Sequence, residues 1–116
     1  MLARNDVRVL VASQPIDFRA GINRLVALTA HALLADPYCG DLFVFRSKRS
    51  DRLKMLYWDG SGIVLLTKWL EEGSFRWPPV QGGVVVLSGA QYAALLSGLD
   101  WTKLVVREVK KPVLAG

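Results

Sequence analysis

Cysteine and histidine are almost absent from this sequence, with one residue of each in 116 positions. A lone Cys39 can form neither an internal disulfide nor a thiolate metal cluster, so we expect a protein of the reducing cytoplasm without bound metal. No Ser or Cys is spaced to work with His31, and a Gly-rich phosphate loop is lacking as well. The sequence therefore predicts a protein that is not an enzyme and holds no cofactor.

Long hydrophobic runs are also missing. The stretch 77–99 has no charged residue, but Pro78-Pro79 and Gly82-Gly83 interrupt it, which is typical of turns rather than of a membrane helix. The first six residues include Arg4 and Asp6 with no apolar run behind them, so we expect no signal peptide and no membrane partner.

Hydrophobic residues make up 52% of the chain and charged residues 22%. This composition is too apolar for disorder, and the length suits one domain. We predict a single domain over residues 1–116, with an ordered core of about 7–101 and a basic tail at 102–116.

Hydrophobic periodicity predicts one long and one short helix. Asp17 is a candidate N-cap for a long helix that must end before Asp36-Pro37. Ser88 and Gln91 form a capping box for the short helix, and Gly98 is a candidate stop. The side chains of this helix expected to face inward are Tyr92, Leu95, Leu96 and Leu99.

The remaining segments have the alternation and turn residues of β-strands. Asp59–Gly62 is typical of a hairpin turn, and helix is the competing interpretation for 63–72. The predicted strands are 7–12, 42–45, 53–58, 63–70, 75–77, 84–87 and an edge strand at 103–109. We therefore predict an α+β fold, a mostly antiparallel β-meander packed against the two helices.

Positive charge is concentrated in one hairpin. The net charge of the chain is +5, and most of it lies between strands two and three, opposed there only by Asp51. A basic loop of this kind can hold DNA phosphates, with a log–log salt slope of roughly −3 to −4. A solvated hairpin tip and a site for an acidic protein surface are the alternatives. The cluster consists of Arg46, Lys48, Arg49, Arg52 and Lys54.

Other side chains are weaker candidates. Arg19 and Arg24 of the long helix are possible additions to the phosphate contacts, and the tail carries Lys103, Arg107 and Lys110-Lys111. Exposed aromatic residues could stack on unpaired bases, although strand aromatics are more often core; they are Tyr57, Trp58, Trp69, Phe75 and Trp77. A metal-dependent nuclease would need converging carboxylates, for which the candidates are Asp17, Asp51, Asp59 and Asp100.

A series of short motifs runs along residues 7–101. They are Pro15-x-Asp17-Phe18-Arg19-x-Gly21, Asp36-Pro37-x-x-Gly40, Leu42-Phe43-Val44-Phe45-Arg46, Lys48-Arg49-x-Asp51-Arg52-Leu53-Lys54, Trp58-Asp59-Gly60-x-Gly62, Leu70-Glu71-x-Gly73-x-Phe75-x-Trp77-Pro78, and Gln91 with Leu95-Leu96-x-Gly98-Leu99-Asp100-Trp101.

In this order the motifs resemble the TnpB accessory proteins encoded beside the transposase in bacterial insertion sequences of the 66 family, which are distinct from the RNA-guided nuclease of the same name. The resemblance implies a role in transposition, with DNA, the transposase and other accessory proteins as partners, and a separate transposase as the source of the cutting chemistry. Ala20 and Trp69 depart from it, because basic residues are common at both positions in that family.

Two hypotheses follow. The first is a non-enzymatic accessory factor that binds DNA through the basic hairpin and assists the transposase. The second is a protein–protein adaptor that binds the transposase or another accessory protein without touching DNA, which the large apolar inventory of so short a chain favours.

Overall fold

A computed structural model describes residues 7–79 and 83–104 of the chain. Five strands form one sheet in the order β4-β3-β2-β1-β5. The strands are β1 Val9–Ala12, β2 Leu42–Arg46, β3 Arg52–Trp58, β4 Ile63–Trp69 and β5 Val84–Leu87; the helices are α1 Ile22–His31 and α2 Gly89–Leu96, followed by a 3₁₀ turn at Trp101–Lys103.

Strands β2, β3 and β4 form an antiparallel meander, and β5 pairs antiparallel with β1. Among the strands of the described residues, β1 and β2 alone pair in parallel, because α1 carries the chain back between them. The predicted α+β fold, a mostly antiparallel sheet with one longer and one shorter helix, is confirmed.

Both faces of the sheet are covered, which explains why all four residues of β1 are buried. Val9 and Val11 belong to a core that includes Leu95 of α2. Leu10 and Ala12 face the other way, into a core that includes Leu25 of α1. The sheet is thus the middle of three layers.

The predicted start of the long helix is wrong. Gly21 is the N-cap of α1, and Asp17 lies four residues earlier, in a turn. The Asp17 carboxylate accepts the Arg19 amide at 2.9 Å, and its carbonyl accepts the Ala20 amide. An Asp side chain that bonds the backbone two residues ahead stabilises a turn as readily as a helix cap.

Most of the strand predictions are confirmed, and 63–69 is a strand rather than a helix. The strand predicted at 75–77 is wrong, because no ladder forms there: the Phe75 amide donates to Ser50, and the Arg76 carbonyl accepts the Trp101 indole. These contacts hold the segment against the core containing Phe75.

The capping box of α2 is confirmed, with Ser88 and Gln91 bonded reciprocally. Leu99 does not face inward and is 61% exposed, since the helix ends at Leu96 and Gly98 then turns the chain with φ +73°. Lys103 lies in the 3₁₀ turn and Leu104 ends it, so neither is in a strand. Residues 105–109 of the predicted edge strand, with Arg107, and the following Lys110-Lys111 lie outside the described residues.

No helix in the described part of the chain has the length and apolar character needed to cross a membrane.

Candidate nucleic-acid interface

Two loops meet at one end of the sheet. The β1–α1 loop (residues 13–21) leaves the carboxyl end of β1, and the β2–β3 turn (residues 47–51) leaves the carboxyl end of β2. Because β1 and β2 are parallel, these ends lie side by side. Ile16 and Ser47 form a further parallel bridge, and the Ile16 amide donates to the Arg46 carbonyl at 2.8 Å.

The segment 70–75, which follows β4, forms backbone hydrogen bonds with the β2–β3 turn. The Leu70 amide donates to the Asp51 carbonyl at 2.9 Å, and the Phe75 amide donates to the Ser50 carbonyl at 2.7 Å. Within the turn, the buried Ser47 hydroxyl donates to the Arg49 carbonyl. The structure thus holds the β2–β3 turn between two neighbouring segments of the chain.

A surface depression follows the junction of the two loops. Its first part, about 240 Å³, is lined by Asp17 and Phe18 from the β1–α1 loop, by Lys48 and Arg49 from the β2–β3 turn, and by Arg52 at the start of β3. A second depression also borders Asp17 and is lined by Arg19 and Arg24. We call this surface the cationic groove, defined by Arg19, Arg24, Lys48, Arg49 and Arg52 together with Asp17.

Arg19 is oriented in the groove by Asp17. Its Nε and Nη2 donate to the two carboxylate oxygens at 3.1 and 2.9 Å, and the Arg19 side chain remains 91% exposed. These hydrogen bonds hold the pKa of Asp17 well below its usual range and raise the pKa of Arg19. Such an exposed pair contributes little to stability, so its main effect is to position the guanidinium.

A second carboxylate, that of Asp51, lies between Arg49 of the turn and Arg52 at the start of β3. Asp51 Oδ1 is 3.6 Å from Arg49 Nε and 3.7 Å from Arg52 Nε. These separations allow electrostatic attraction but are too long for direct hydrogen bonds. Five cations therefore share this surface with two carboxylates, and the local charge is positive.

Arg52 is packed between aromatic rings. Its side chain is only 16% exposed, and Cζ lies 3.3 Å from the Trp69 ring centroid and 5.7 Å from that of Phe18. Lys54, two residues along the same strand face, lies beneath the groove, because its Nζ donates to the Ala20 carbonyl at 2.9 Å and sits 4.8 Å from the Phe18 ring. Arg52 thus reaches the groove, and Lys54 supports its wall.

Arg46 lies on the opposite face of the sheet. The neighbouring residue Phe45 faces α1, so the Arg46 side chain points to the opposite face of the sheet. Val44 points to that same face and lies in the core next to α2. Its guanidinium lies 5.6 Å from the Trp77 ring centroid. The basic hairpin cluster is therefore divided, because Lys48, Arg49 and Arg52 line the groove whereas Arg46 and Lys54 do not. Arg19 and Arg24 line the groove as well.

Asp17 and Phe18 line the groove but were not among the residues expected to contact phosphate. Asp17 was interpreted as a helix cap and as a candidate metal ligand. The motif Pro15-x-Asp17-Phe18-Arg19-x-Gly21 was the available signal, since a Pro and a Gly that frame an Asp are typical of a structured loop.

Of the four carboxylates considered for a nuclease, Asp17 and Asp51 lie near the groove, whereas Asp59 and Asp100 lie elsewhere in the fold. Asp51 precedes β3 and Asp59 follows it. The Asp59 carboxylate stabilises the hairpin turn by accepting the Ser61 and Gly62 amides at 2.8 and 2.9 Å. Asp100 accepts the Thr102 amide at 3.1 Å. Among residues 7–79 and 83–104, no three His, Cys, Asp or Glu side chains come together as a metal site.

Known proteins match nearly the whole described chain. The model of the IS66 Orf2-like protein family matches residues 7–105. Two Sinorhizobium fredii proteins (strain NBRC 101917 / NGR234) are similar: uncharacterized protein y4jC, 58% identical over 91% of each chain, and uncharacterized protein y4hO, 42% identical over 83% of this chain and 84% of its own. No solved structure gives a significant match.

Proposed function

This chain belongs to the IS66 Orf2-like family of transposition accessory proteins, and from that premise we propose that it binds DNA phosphates in the cationic groove. In this proposal the protein is not an enzyme, and it assists the transposase on the DNA of the element in the bacterial cytoplasm. The family match supports the accessory role, and the groove supports the choice of ligand.

The observation that carries the proposal is the convergence of basic side chains from the β1–α1 loop, the start of α1, the β2–β3 turn and the start of β3. Lys48, Arg49 and Arg24 are exposed, as is Arg19, so a DNA backbone can reach all four. Arg24 lies in the first turn of α1, where no side chain in the described part of the chain caps the helix amides. The partial positive charge of that turn adds to the attraction for phosphate.

Salt dependence of binding tests this arrangement. Four phosphate contacts predict a slope of log K against log salt of roughly −3 to −4 for a duplex, measured by fluorescence anisotropy. We expect Lys48→Gln to make the slope about one unit shallower, because it removes one contact. The matched control is Lys103→Gln, since Lys103 is 83% exposed and follows α2, on the other face of the sheet.

A second variant, Asp17→Asn, is expected to change duplex affinity in the opposite direction. Asp17→Asn removes a carboxylate from among the phosphates and releases Arg19, so duplex affinity is expected to rise severalfold. Asparagine can still accept the Arg19 amide, which preserves the turn. The proposal fails if Lys48→Gln and Lys103→Gln bind alike, or if Asp17→Asn binds no more tightly than the wild type.

The second candidate function is a transposase adaptor. It is favoured by large apolar side chains that are exposed outside the groove: Leu34, Leu66, Val86 and Leu99. Capture of the transposase in nuclease-treated extract separates the two functions. A complex that survives nuclease and Lys48→Gln, but is lost in Leu66→Asp or Leu99→Asp, would favour the adaptor.

A further inference from the structure

Trp69 is an exposed aromatic residue next to the cationic groove. It is the last residue of β4, an edge strand of the sheet, and it is 57% exposed. Its partner across the ladder is Arg52, whose guanidinium carbon lies 3.3 Å from the centroid of the indole. The guanidinium therefore covers one face of the ring and leaves much of the remainder to solvent.

This placement differs from that of the other tryptophans in the described residues. Trp101 is buried, and Trp58 and Trp77 are half-buried. Trp58 makes an edge contact with Tyr38, and Trp77 packs near Phe75. A tryptophan that serves only to pack hides its ring, because the apolar surface is large. Trp69 instead presents an aromatic surface to solvent beside several cations.

Arg52 connects this ring to the groove. The same side chain lines the depression formed with Lys48 and Arg49, and its guanidinium stacks on Trp69. Only the Arg52 side chain would therefore separate a base on the open part of the indole from Lys48 and Arg49, which are proposed to bind phosphate. An aromatic platform beside a basic channel is the arrangement that holds single-stranded nucleic acid.

We propose that Trp69, backed by Arg52, is a stacking platform for an unpaired base of single-stranded DNA whose phosphates lie in the cationic groove. This inference rests on the proposed DNA-binding function and specifies the form of DNA. In a duplex both faces of each base are already stacked on neighbours, so only an unpaired base can use the platform.

The test compares three DNA ligands, of which two are single-stranded and one is a duplex. Oligo(dT), a duplex of the same length, and an abasic oligonucleotide with the same number of phosphates are titrated against the wild type by anisotropy. We expect oligo(dT) to bind about tenfold or more tightly than the abasic strand, since stacking on an aromatic residue is worth this much per base. The abasic comparison changes only the ligand, so it does not depend on any variant folding.

Trp69→Ala is expected to lose the preference for oligo(dT) over the abasic strand and to keep duplex affinity within about twofold. Trp69→Phe, which retains an aromatic ring, is expected to keep most of the preference. Leu66→Ala is the matched control, because Leu66 is a similarly exposed side chain of the same strand. Tryptophan emission of the wild type should be quenched by oligo(dT), and less so in Trp69→Phe.

Each contrary result has a distinct meaning. Salt-dependent duplex binding with equal affinity for oligo(dT) and the abasic strand overturns the stacking platform and leaves the proposed function standing. Equal losses on duplex and oligo(dT) in Trp69→Ala also overturn it, because the ring would then only position Arg52. Absence of binding to all three ligands overturns the proposed function itself.

Discussion

Individual basic side chains in this molecule differ widely in what surrounds them. Arg19 is almost fully exposed and pairs with the Asp17 carboxylate, whereas Arg52 stacks on the Trp69 indole. Lys54 donates a hydrogen bond to the Ala20 carbonyl. Ala20 and Trp69, the two departures from the resemblance, both lie in these contacts. Trp69 places an indole ring against the Arg52 guanidinium, which adds an aromatic surface beside the groove.

Leu34 is the one non-glycine residue with positive φ among those described, at +52°, and its side chain is 86% exposed. Because the left-handed region is unfavourable for a residue with a Cβ and no packing is lost, we expect Leu34→Gly to raise the free energy of unfolding by about 0.5–1 kcal/mol. Urea titration measures this. Ala27→Gly, exposed within α1, should lower stability by about 1 kcal/mol; equal destabilisation by both changes would contradict the prediction.

The parallel β1–β2 pair is the element on which the groove depends, and each end of it is secured. At the carboxyl end, Ile16 bridges to Ser47. At the amino end, Asp41 is fully buried and accepts the Arg8 amide at 3.1 Å and the Arg8 Nη2 at 2.8 Å. These contacts align β1 with β2, which in turn places the β1–α1 loop beside the β2–β3 turn.

Asp41 predicts a pH dependence of stability. Burial favours the neutral carboxyl, but the Arg8 hydrogen bonds outweigh it and leave the Asp41 pKa below its usual value. A lowered native pKa stabilises the fold above the ordinary Asp pKa of about 3.9, and this stabilisation is lost as the pH falls through the native pKa. We expect Asp41→Asn to cost about 2 kcal/mol at pH 7.

The difference between Asp41→Asn and the wild type should therefore shrink below about pH 4, as measured by urea unfolding at a series of pH values. Glu72→Gln is the matched control, because Glu72 is exposed in a loop and the same charge is removed. A difference that stays constant down to pH 2 would show that the Asp41 carboxylate is not stabilised by Arg8.

At the scale of the whole molecule, two cores share one sheet. Leu25 of α1 is fully buried on one face and Leu95 of α2 is fully buried on the other. Because β1 and β2 contribute side chains to both cores, loss of either core removes support from the same strands. We infer that the described domain unfolds as one cooperative unit.

Leu25→Ala and Leu95→Ala test this cooperativity. Each is expected to lower the free energy of unfolding by about 2–5 kcal/mol, the usual cost of a buried Leu-to-Ala change. Far-UV circular dichroism and tryptophan fluorescence should report one coincident transition in urea. Transitions that separate in Leu95→Ala would show instead that α2 unfolds by itself. Leu99→Ala, at an exposed site, is the control.

The sequence by itself determined the elements whose causes are local. Short apolar runs bounded by turn residues specify the strands, Asp59–Gly62 specifies the hairpin turn, and the Ser88–Gln91 pair specifies the start of α2. It also localised most of the candidate site, because Lys48, Arg49 and Arg52 are neighbours along the chain. These features depend on interactions between residues a few positions apart, which sequence spacing displays directly.

Tertiary structure alone decided which charges act together. Strand alternation placed Arg46, which pairs with Leu53, on the face opposite Arg52 and near Trp77, and no charge count along the chain distinguishes these positions. The parallel pairing of β1 with β2 brought Arg19 and Arg24 to the same surface, and the β3–β4 ladder placed Trp69 on Arg52. Each contact joins residues distant in sequence, so its energy arises only when the sheet assembles.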